Sequence, residues 1–296
     1  METLSSIYEN LYLPSNLKIR SECTKRHYKI TFRLWEQQLG RPPELTDLTD
    51  DSVLKFARWM LESKPRSPAT VNQKLGYIAA IWRWCAKRRL VEYWPTFTPI
   101  PEPHIVPRAW NERQLATLHE TLQQVEGKID GIPACDWWIN LHRFLWETGE
   151  RIGATLKMQW DMLDRHACTV DLPPTIRKGK WRGMVYTISA ELMNDLVAMR
   201  RHHHNQVFPW PHCEQTFYNR YEKILKRAGL PTSRKHKFHC MRRSFASHVQ
   251  KNGGDATYLF RHSSARVTQD SYLDPAIVED RPACTILKPL SEMRRE

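Results

Sequence analysis

The last third of the chain, together with one arginine upstream, holds residue types that act on phosphodiesters. His239 and Arg242 stand three positions apart, His262 and Tyr272 follow, and Arg151 lies upstream. Arginine can bind two phosphate oxygens at once, and histidine transfers protons near neutral pH. Tyrosine can attack phosphorus and hold it covalently. Together these residue types predict an enzyme that cuts and rejoins DNA through a tyrosine.

The charge of the chain favours a polyanionic partner. Lysine and arginine number 45 against 32 aspartate and glutamate residues, so the formal net charge is +13. This balance favours nucleic acid over a membrane surface, although a basic protein without such a partner would show the same charge. No run of about 18 apolar residues is present, and the first residues lack the pattern of a secretory signal. We therefore expect no membrane partner.

The cysteines predict free thiols rather than a disulfide framework. Their number is seven, their spacing is wide, and no Cys-x-x-Cys pair occurs, which is typical of a reduced intracellular protein. The run 202–204 supplies three histidines, and His212 and Cys213 follow. A zinc site needs four ligands at fixed spacings, and no such set is visible. We expect no structural metal.

The first hundred residues predict a unit of three helices. Apolar residues recur at helical spacing over 21–39, and Gly40 ends that helix. A second helix is expected to begin after Thr49 and to end near Lys64. The third has the clearest signals, because Ser67 fits an N-cap and a proline follows it at the first helical position.

The third helix is also basic. Its exposed side and its end carry five cations, namely Lys74, Arg83, Lys87, Arg88 and Arg89. Such a helix could lie along DNA. Alternatively, these residues could form a solvated face whose last cations complement the helix dipole. The sequence leaves both interpretations open.

A proline-rich stretch separates this helical unit from the rest of the chain. Five prolines between positions 95 and 107 exclude a helix and favour an extended segment. We therefore expect a linker at 95–109 between an N-terminal helical domain at 1–94, which would bind DNA if its basic helix does, and a second domain with a C-terminal tail at 110–296, which contains the candidate catalytic residues.

The second domain is predicted to be mainly α with a small β-sheet. Asn111 and Gln114 have the spacing of a capping box. Alternating residues predict strands at 167–172 and 184–188, joined by a basic turn at 177–183. Elsewhere the spacing is helical to about residue 270. One buried helix is predicted from four large apolar residues, Trp138, Leu141, Leu145 and Trp146.

Residues 110–275 resemble the catalytic domain of the tyrosine recombinases, also called the phage integrase family. Residues 21–92 resemble that family's helical core-binding domain with weaker specificity. Three blocks in the family's order carry the resemblance. Block 147–160 is similar to its Thr-Gly-x-Arg helix start, block 239–246 to its His-x-x-Arg motif, and block 261–272 to its Gly-His-Ser-Ser…Tyr segment. The resemblance implies a helical core-binding domain followed by an α+β catalytic domain.

The chain departs from the family pattern in three places. Arg261 stands where the family usually has glycine, and Ala154 replaces a residue that is commonly acidic. The interval from His262 to Tyr272 is one residue longer than the commonest spacing. Tyr258 is the alternative nucleophile, but it precedes the histidine and so breaks the motif order.

The resemblance implies a role for each site residue. Arg151 and Arg242 would clamp the phosphate oxygens, and Tyr272 would attack phosphorus. A free tyrosine has a pKa of about 10 and needs help to lose its proton. His239 would be the base or hydrogen-bond partner, and His262 would donate to a phosphate oxygen.

A lysine on the β-hairpin is implied as the general acid for the leaving 5′ hydroxyl. Lys178 fits the family's spacing best, and Lys180 is the alternative. The bond energy would be kept in a 3′-phosphotyrosyl link, so no cofactor, ATP or divalent metal is expected.

The leading prediction is a site-specific recombinase or integrase of a mobile element, acting on double-stranded DNA in the cytoplasm of a bacterium. A catalytically silent DNA-binding protein and a type IB topoisomerase-like enzyme are the alternatives. The family implies a homo-tetramer on two DNA sites, with a DNA-bending accessory protein as a further partner. The apolar segments 275–278 and 283–287 could dock on a neighbouring copy or on their own domain.

Overall fold

A computed structural model of the chain describes residues 2–19, 21–63, 65–177, 182–201 and 204–279. The chain divides into two compact units, Met1–His104 and Ile105–Glu296. The division falls within the segment that the prolines predict as a linker. The binding and catalytic roles assigned to the two parts stay predictions.

The first unit is built from helices. The three predicted helices are present, and Thr49 and Ser67 cap α4 and α5 by accepting from backbone N–H groups. The helices that precede them were not predicted. In chain order the elements are α1 (Leu4–Ile7), a π-helical stretch (Tyr8–Tyr12), α2 (Leu13–Ser15), α3 (Glu22–Leu39), a 3₁₀ turn (Leu45–Asp47), α4 (Asp50–Glu62) and α5 (Pro68–Lys87).

Aromatic side chains fill the core of the first unit. The rings of Tyr8 and Tyr28 stack with centroids 4.8 Å apart, and Tyr8 also meets the edge of Phe32 at 5.7 Å. Trp35 and Trp82 are fully buried in the same cluster. Rings of this size bury large apolar areas, so the unit has a substantial core for its length.

The proline-rich segment is fastened to the first unit where it begins. The Asn72 side chain donates to the Ile100 carbonyl at 2.8 Å and accepts from the Ile100 N–H at 2.9 Å. The N–H of Thr96 donates to the Asp50 carboxylate at 3.0 Å. This stretch therefore runs along α4 and α5 and is not a free tether.

The second unit is mainly helical with two small antiparallel sheets, which confirms the predicted fold class. Asn111 and Gln114 form the predicted capping box. The helices are α6 (Glu112–Gln123), α7 (Ala134–Thr148), α8 (Ile152–Thr155), α9 (Ala190–Ala198), α10 (Glu214–Arg227), α11 (Phe238–Lys251), α12 (Ala256–Phe260), α13 (Ala265–Tyr272) and α14 (Pro275–Val278). The strands are β1 (Lys128–Ile129), β2 (Ile132–Pro133), β3 (Leu163–Asp164), β4 (Thr169–Leu172) and β5 (Met184–Thr187).

The predicted hairpin is present as β4 and β5, which pair antiparallel with Val170 opposite Tyr186. The first strand begins two residues later than expected, because Cys168 has a φ of +52° and sits in a turn. A third strand, β3, pairs with the other edge of β4 and was not predicted. The tip of the hairpin at 178–181 lies outside the described residues.

Helix α7 runs through the core of the second unit. Trp138, Leu141 and Leu145 are buried on it, as predicted. The prediction was wrong for Trp146, whose side chain is 37% exposed. One residue beyond Leu145 turns the helix by about 100° and takes the indole off the buried stripe. The Trp146 ring instead lies at the surface, 5.3 Å from the His248 ring.

The start of the second unit is tied to the segment that follows α13. The N–H of Ala109 donates to the Asp274 carboxylate at 2.8 Å, and the Trp110 N–H donates to the Ser244 hydroxyl at 2.8 Å. The N–H of Asp274 donates to the Ser247 hydroxyl at 2.9 Å. Helix α11 therefore holds both the incoming chain and the residues just after Tyr272.

The described residues contain no helix that is both long and apolar enough to cross a lipid bilayer. Within the same residues no group of histidine, cysteine or acidic side chains is arranged to hold a metal ion. The six cysteines of the described ranges are all free thiols.

Candidate active site

The site begins at the C-terminal end of α7, where the chain turns at Gly149. This residue adopts a left-handed conformation with φ +60°, and its N–H donates to the Leu145 carbonyl at 2.9 Å. A Cβ here would lie 2.4 Å from a Phe245 ring carbon and 2.7 Å from a Phe260 ring carbon. Glycine is therefore required for both its backbone and its lack of a side chain. The turn places Arg151 at the start of α8.

Arg242 occupies the centre of the site. It lies on α11, is 3% exposed, and stacks its guanidinium 3.7 Å from the centre of the Phe260 ring. Its Nη1 donates to the carbonyl oxygen of Gly149. Its Nε and Nη2 are buried and find no hydrogen-bond partner among the described residues. Buried donors of a charged group are costly when unpaired, so this side chain is poised for an anion.

Helix α13 places the phenol of Tyr272 beside that guanidinium. The ring centre of Tyr272 lies 5.2 Å from the Arg242 Cζ, 5.2 Å from the centre of Phe260 and 5.1 Å from that of His262. The Ser247 hydroxyl donates to the Tyr272 carbonyl at 3.2 Å and holds the end of the helix. Residues from two distant motifs thus meet.

The positive charges of the site act on the phenol. Burial alone would raise the pKa of Tyr272, but the charges of Arg242 and Arg151 outweigh burial, and the pKa is lowered from its ordinary value of 10.0. The charges of both Arg242 and Arg151 thus reach this one hydroxyl. The phenolate, which is the nucleophilic form of a tyrosine, is therefore favoured here relative to water.

His262 is held as a neutral ring near pH 7. Its Nδ1 and the Thr268 hydroxyl share a hydrogen bond of 2.9 Å, which fixes the plane of the imidazole. Burial lowers the pKa of His262 below 6.5, and the charges of Arg242 and Arg151 lower it further. A neutral imidazole can donate one hydrogen bond without adding charge to the site.

Glu150 was not predicted as a site residue, yet it is buried beside Arg151. One carboxylate oxygen accepts from the Arg151 N–H at 2.7 Å. The other accepts from Arg177 Nε at 2.7 Å and from the Tyr186 hydroxyl at 2.8 Å. Burial would raise the pKa of Glu150, but these donors, with the charge of Arg242, lower it below 4.5. No periodic pattern marks such a residue, because only the fold brings its partners together.

The backbone conformation at Arg261 shows why the family usually has glycine at this position. Its φ of +51° and ψ of +42° place it in the left-handed region, which non-glycine residues enter at a cost of about 1 kcal/mol. The turn is therefore made despite the substitution. The Arg261 Nε lies 3.1 Å from the Met184 sulfur on β5, so the longer side chain bridges to the hairpin.

The remaining predicted catalytic residues are His239 and a lysine of the hairpin. His239 is exposed on the first turn of α11, three residues before Arg242, so the two side chains leave one side of the helix. Lys178 and Lys180 lie outside the described residues. Tyr258, the alternative nucleophile, is 70% exposed on α12.

The basic residues predicted on α5 and at its end lie in the first unit, and one of them is buried. Arg83, Lys87 and Arg88 are exposed. Lys74 is 4% exposed, with its Nζ 3.4 Å from His27 Nδ1, so its expected place on the exposed side of the helix is wrong. It falls on the apolar stripe between Val71 and Ile78, which buries it.

Comparison with known proteins identifies the family of the chain. A family model described as the phage integrase family matches residues 121–277, more than half of the chain. The chain therefore belongs to the phage integrase family, the tyrosine recombinases. A search of curated proteins gives no match.

Several solved structures share the fold. The Tn1549 transposon integrase in complex with circular intermediate DNA matches with a TM-score of 0.71 and 14% identity, over 92% of this chain and 95% of that one. A lambda integrase dimer bound to a core site matches with a TM-score of 0.70 and 13% identity, over 95% of this chain and 99% of that one. The XerH site-specific recombinase bound to a palindromic substrate matches with a TM-score of 0.64 and 15% identity, over 83% of this chain and 75% of that one. At these identities the likeness concerns the fold.

Proposed function

We propose that this chain is a site-specific DNA recombinase that cleaves and rejoins DNA through a 3′-phosphotyrosyl intermediate. The observation that carries the proposal is the pairing of Arg242 with Tyr272. A buried guanidinium with two free donors lies beside a phenol whose pKa is lowered. A phosphodiester would satisfy those donors and present its phosphorus to the phenol.

Cleavage would begin when the Tyr272 oxygen attacks phosphorus. The new bond joins the phenol oxygen to the 3′ phosphate, and the bond from phosphorus to the 5′ oxygen breaks. Arg151 and Arg242 would hold the non-bridging oxygens, on which charge accumulates in the transition state. With the Thr268 hydroxyl donating to Nδ1, His262 would donate through Nε2 to one of the same oxygens.

Two protons must move in this step. The phenol proton would pass to His239, which leaves the same side of α11 as Arg242. The leaving 5′ oxygen would take a proton from a lysine of the hairpin, with Lys178 preferred over Lys180 on spacing. Rejoining reverses both transfers with another 5′ hydroxyl. Because the phosphotyrosyl bond retains the energy of the phosphodiester, neither ATP nor a metal ion is needed.

Double-stranded DNA is the proposed partner. The similar Tn1549 and lambda integrase structures contain DNA, and the charge of +13 suits a polyanion. Arg83 and Lys87 on α5 and Arg88 just after its end are exposed and would contact phosphates from the first unit. We propose that four copies act together on two DNA sites in the cytoplasm of a bacterium. An accessory protein that bends the DNA is a further proposed partner.

A nicked suicide duplex tests the proposal. The duplex would carry a site that the protein selects from a random-sequence pool, and the nick would release the short leaving strand so that the adduct accumulates. We expect a covalent adduct on the 3′ side of the break that disappears in Tyr272→Phe. Tyr258→Phe is the matched control and should retain the adduct. Strong site binding without any adduct would instead indicate a catalytically silent protein.

Strand exchange separates a recombinase from a topoisomerase. Two labelled duplexes that carry the selected site should yield recombinant products, and a supercoiled plasmid without the site should relax slowly or not at all. Rapid relaxation of any plasmid, with no exchange between sites, would support the type IB topoisomerase-like alternative.

A further inference from the structure

The carboxylate of Asp274 is buried two residues after Tyr272 and binds segments that are distant in the sequence. Asp274 is 3% exposed. One oxygen accepts from the Ala109 N–H at 2.8 Å, and the other accepts from the Ala276 N–H at 3.1 Å and from Arg108 Nη1 at 3.4 Å. A buried carboxylate needs such donors, and backbone N–H groups supply two of them here. The carboxylate therefore joins the start of the second unit to the residues that follow the candidate nucleophile.

The hydroxyl of Ser247 on α11 binds the same part of the main chain. It donates to the Tyr272 carbonyl at 3.2 Å and accepts from the Asp274 N–H at 2.9 Å. About one turn earlier, the Ser244 hydroxyl accepts from the Trp110 N–H at 2.8 Å. Residues three apart lie on one side of a helix. The segment that enters the second unit and the main chain that leaves α13 are therefore bound to the same side of α11.

The nucleophile needs such bonds because of its place on α13. This helix has only eight residues, and Tyr272 is the last of them. The last carbonyls of a helix lack partners within it, and helix ends fray unless other groups bind them. The Tyr272 ring nevertheless has its centre 5.2 Å from the Arg242 Cζ. The bonds made by Ser247 and Asp274 supply the restraint that the short helix does not.

Building on the proposed function, we propose that Asp274 is a positioning residue that holds the Tyr272 hydroxyl beside the two guanidiniums of the site. Asp274 does not touch DNA in this role. It acts through the backbone of residues 272–274, which it anchors to Ala109. A displacement of the nucleophile by about 1 Å can slow a reaction by about 100-fold, because attack on phosphorus requires a narrow range of approach.

The pKa of the phenol separates displacement from the mere loss of a charge. Asp274→Ala removes a negative charge near Tyr272, which by itself would favour the phenolate and lower the pKa of the phenol. A phenol that moves away from Arg151 and Arg242 loses the charges that lower its pKa, so the pKa would rise toward its ordinary value. We expect the rise. It is measured without DNA, as the difference in phenolate absorbance between each protein and its Tyr272→Phe counterpart.

The adduct assay measures the consequence for catalysis. At saturating DNA, Asp274→Ala is expected to form the covalent adduct about 100-fold more slowly than the natural protein. The Kd for the selected duplex should change by less than about twofold, because the buried carboxylate contacts no DNA. Asp270→Ala is the matched control, since Asp270 lies two residues before Tyr272 and pairs at 3.3 Å with the exposed Arg266. It should form the adduct at the natural rate.

Ser247→Ala keeps the test decisive if Asp274→Ala does not fold. It removes only the hydroxyl that binds the Tyr272 carbonyl and the Asp274 N–H. The same rise in the phenol pKa and a loss of about tenfold in adduct rate are expected. A pKa that stays or falls, or an adduct rate equal to the natural one, would overturn the positioning role. A natural protein that forms no adduct would refute the proposed function, whereas the titration, which needs no DNA, would still report whether Asp274 positions Tyr272.

Discussion

The first unit balances the buried charge of Asp47, whereas the second unit leaves two donors of the buried Arg242 without a partner among the described residues. In the first unit the buried Asp47 is matched by Arg41, which donates two hydrogen bonds of 2.8 and 2.7 Å to it. In the second unit the buried Arg242 keeps two donors unpaired and feels the repulsion of Arg151. Because unmatched buried charge destabilises a fold, the second unit gives up stability at the place where a phosphate would bind.

Apolar packing shows the same contrast. The first unit has one aromatic cluster that spans its helices. In the second unit a separate small cluster, which contains Phe245 and Phe260, lies under Tyr272 and away from the main core. The core of the first unit serves the fold, whereas the small cluster of the second packs against Tyr272 and Arg242.

The largest expected effect is the loss of all covalent adduct in Tyr272→Phe. The change removes only the hydroxyl, so the unfolding midpoint in denaturant should move little. Gel analysis of the suicide-duplex reaction measures the adduct. Residual adduct at the same position would show that another side chain is the nucleophile.

Arg242→Met is expected to reduce activity strongly and to change stability little. Adduct formation should fall about 1000-fold, because a transition-state donor is lost. The free energy of unfolding should stay within about 1 kcal/mol of the natural value, since removal of the unpaired donors and of the repulsion offsets the lost bond to Gly149. Denaturant titration measures this. A decrease of several kcal/mol in the free energy of unfolding would mean that other groups of the folded protein balance the charge of Arg242.

Gly149→Ala should destabilise the second unit by roughly 3 kcal/mol, because the new Cβ overlaps two phenylalanine rings and the left-handed backbone disfavours alanine. Gly153→Ala, three residues after Glu150, is the matched control. Nothing lies within 4 Å of the Cβ that it adds, and its backbone is helical. Equal unfolding midpoints for the two variants would contradict the tight packing at the turn.

The titration of Tyr272 should depend on Arg151. In the natural protein the phenolate of Tyr272 should form below pH 10, because the guanidiniums stabilise it. Arg151→Met removes a positive charge, so the pKa should rise. Phenolate absorbance, taken as the difference between each protein and its Tyr272→Phe counterpart, measures both midpoints. A midpoint that stays or falls would place Arg151 away from the hydroxyl.

The smallest effect is expected at Lys74. Burial, and then the charge of Arg66, lowers the pKa of Lys74. Lys74→Met should therefore change stability by less than about 1 kcal/mol and leave the salt dependence of DNA binding intact. A double change of the exposed Arg83 and Lys87 to Met should reduce the salt slope by about 2. An unchanged slope in the double variant would favour a solvated face on α5.

Local signals in the sequence were sufficient for much of the fold. The caps at Ser67 and Asn111 and the apolar spacing of α3, α4 and α5 predicted these helices, because such signals act within one turn. The hairpin was predicted by alternation, although a left-handed Cys168 shortened its first strand. The helices before residue 16 were missed, because their bounds depend on packing against α3.

The site was predicted in part. The motifs identified Arg151, Arg242, His262 and Tyr272, and the structure brings them together. The roles of His239 and of the hairpin lysines stay predictions. Glu150 could not be identified, because its partners lie 27 and 36 residues away and become partners only in the folded unit. Helical spacing does place Lys74 on the stripe of Val71 and Ile78, but a lysine is rarely buried, and the prediction therefore put it on the exposed side.

The hydrogen bonds around Asp274 bear on how many copies of the chain one cut requires. Asp274 stands two residues after Tyr272, and both are fixed to Ser247 of the same polypeptide. The Tyr272 hydroxyl and the two guanidiniums therefore belong to the same copy of the chain. Under the proposed function, a single bound protomer would contain its own nucleophile, and an assembly of several protomers would not be needed to complete the chemistry.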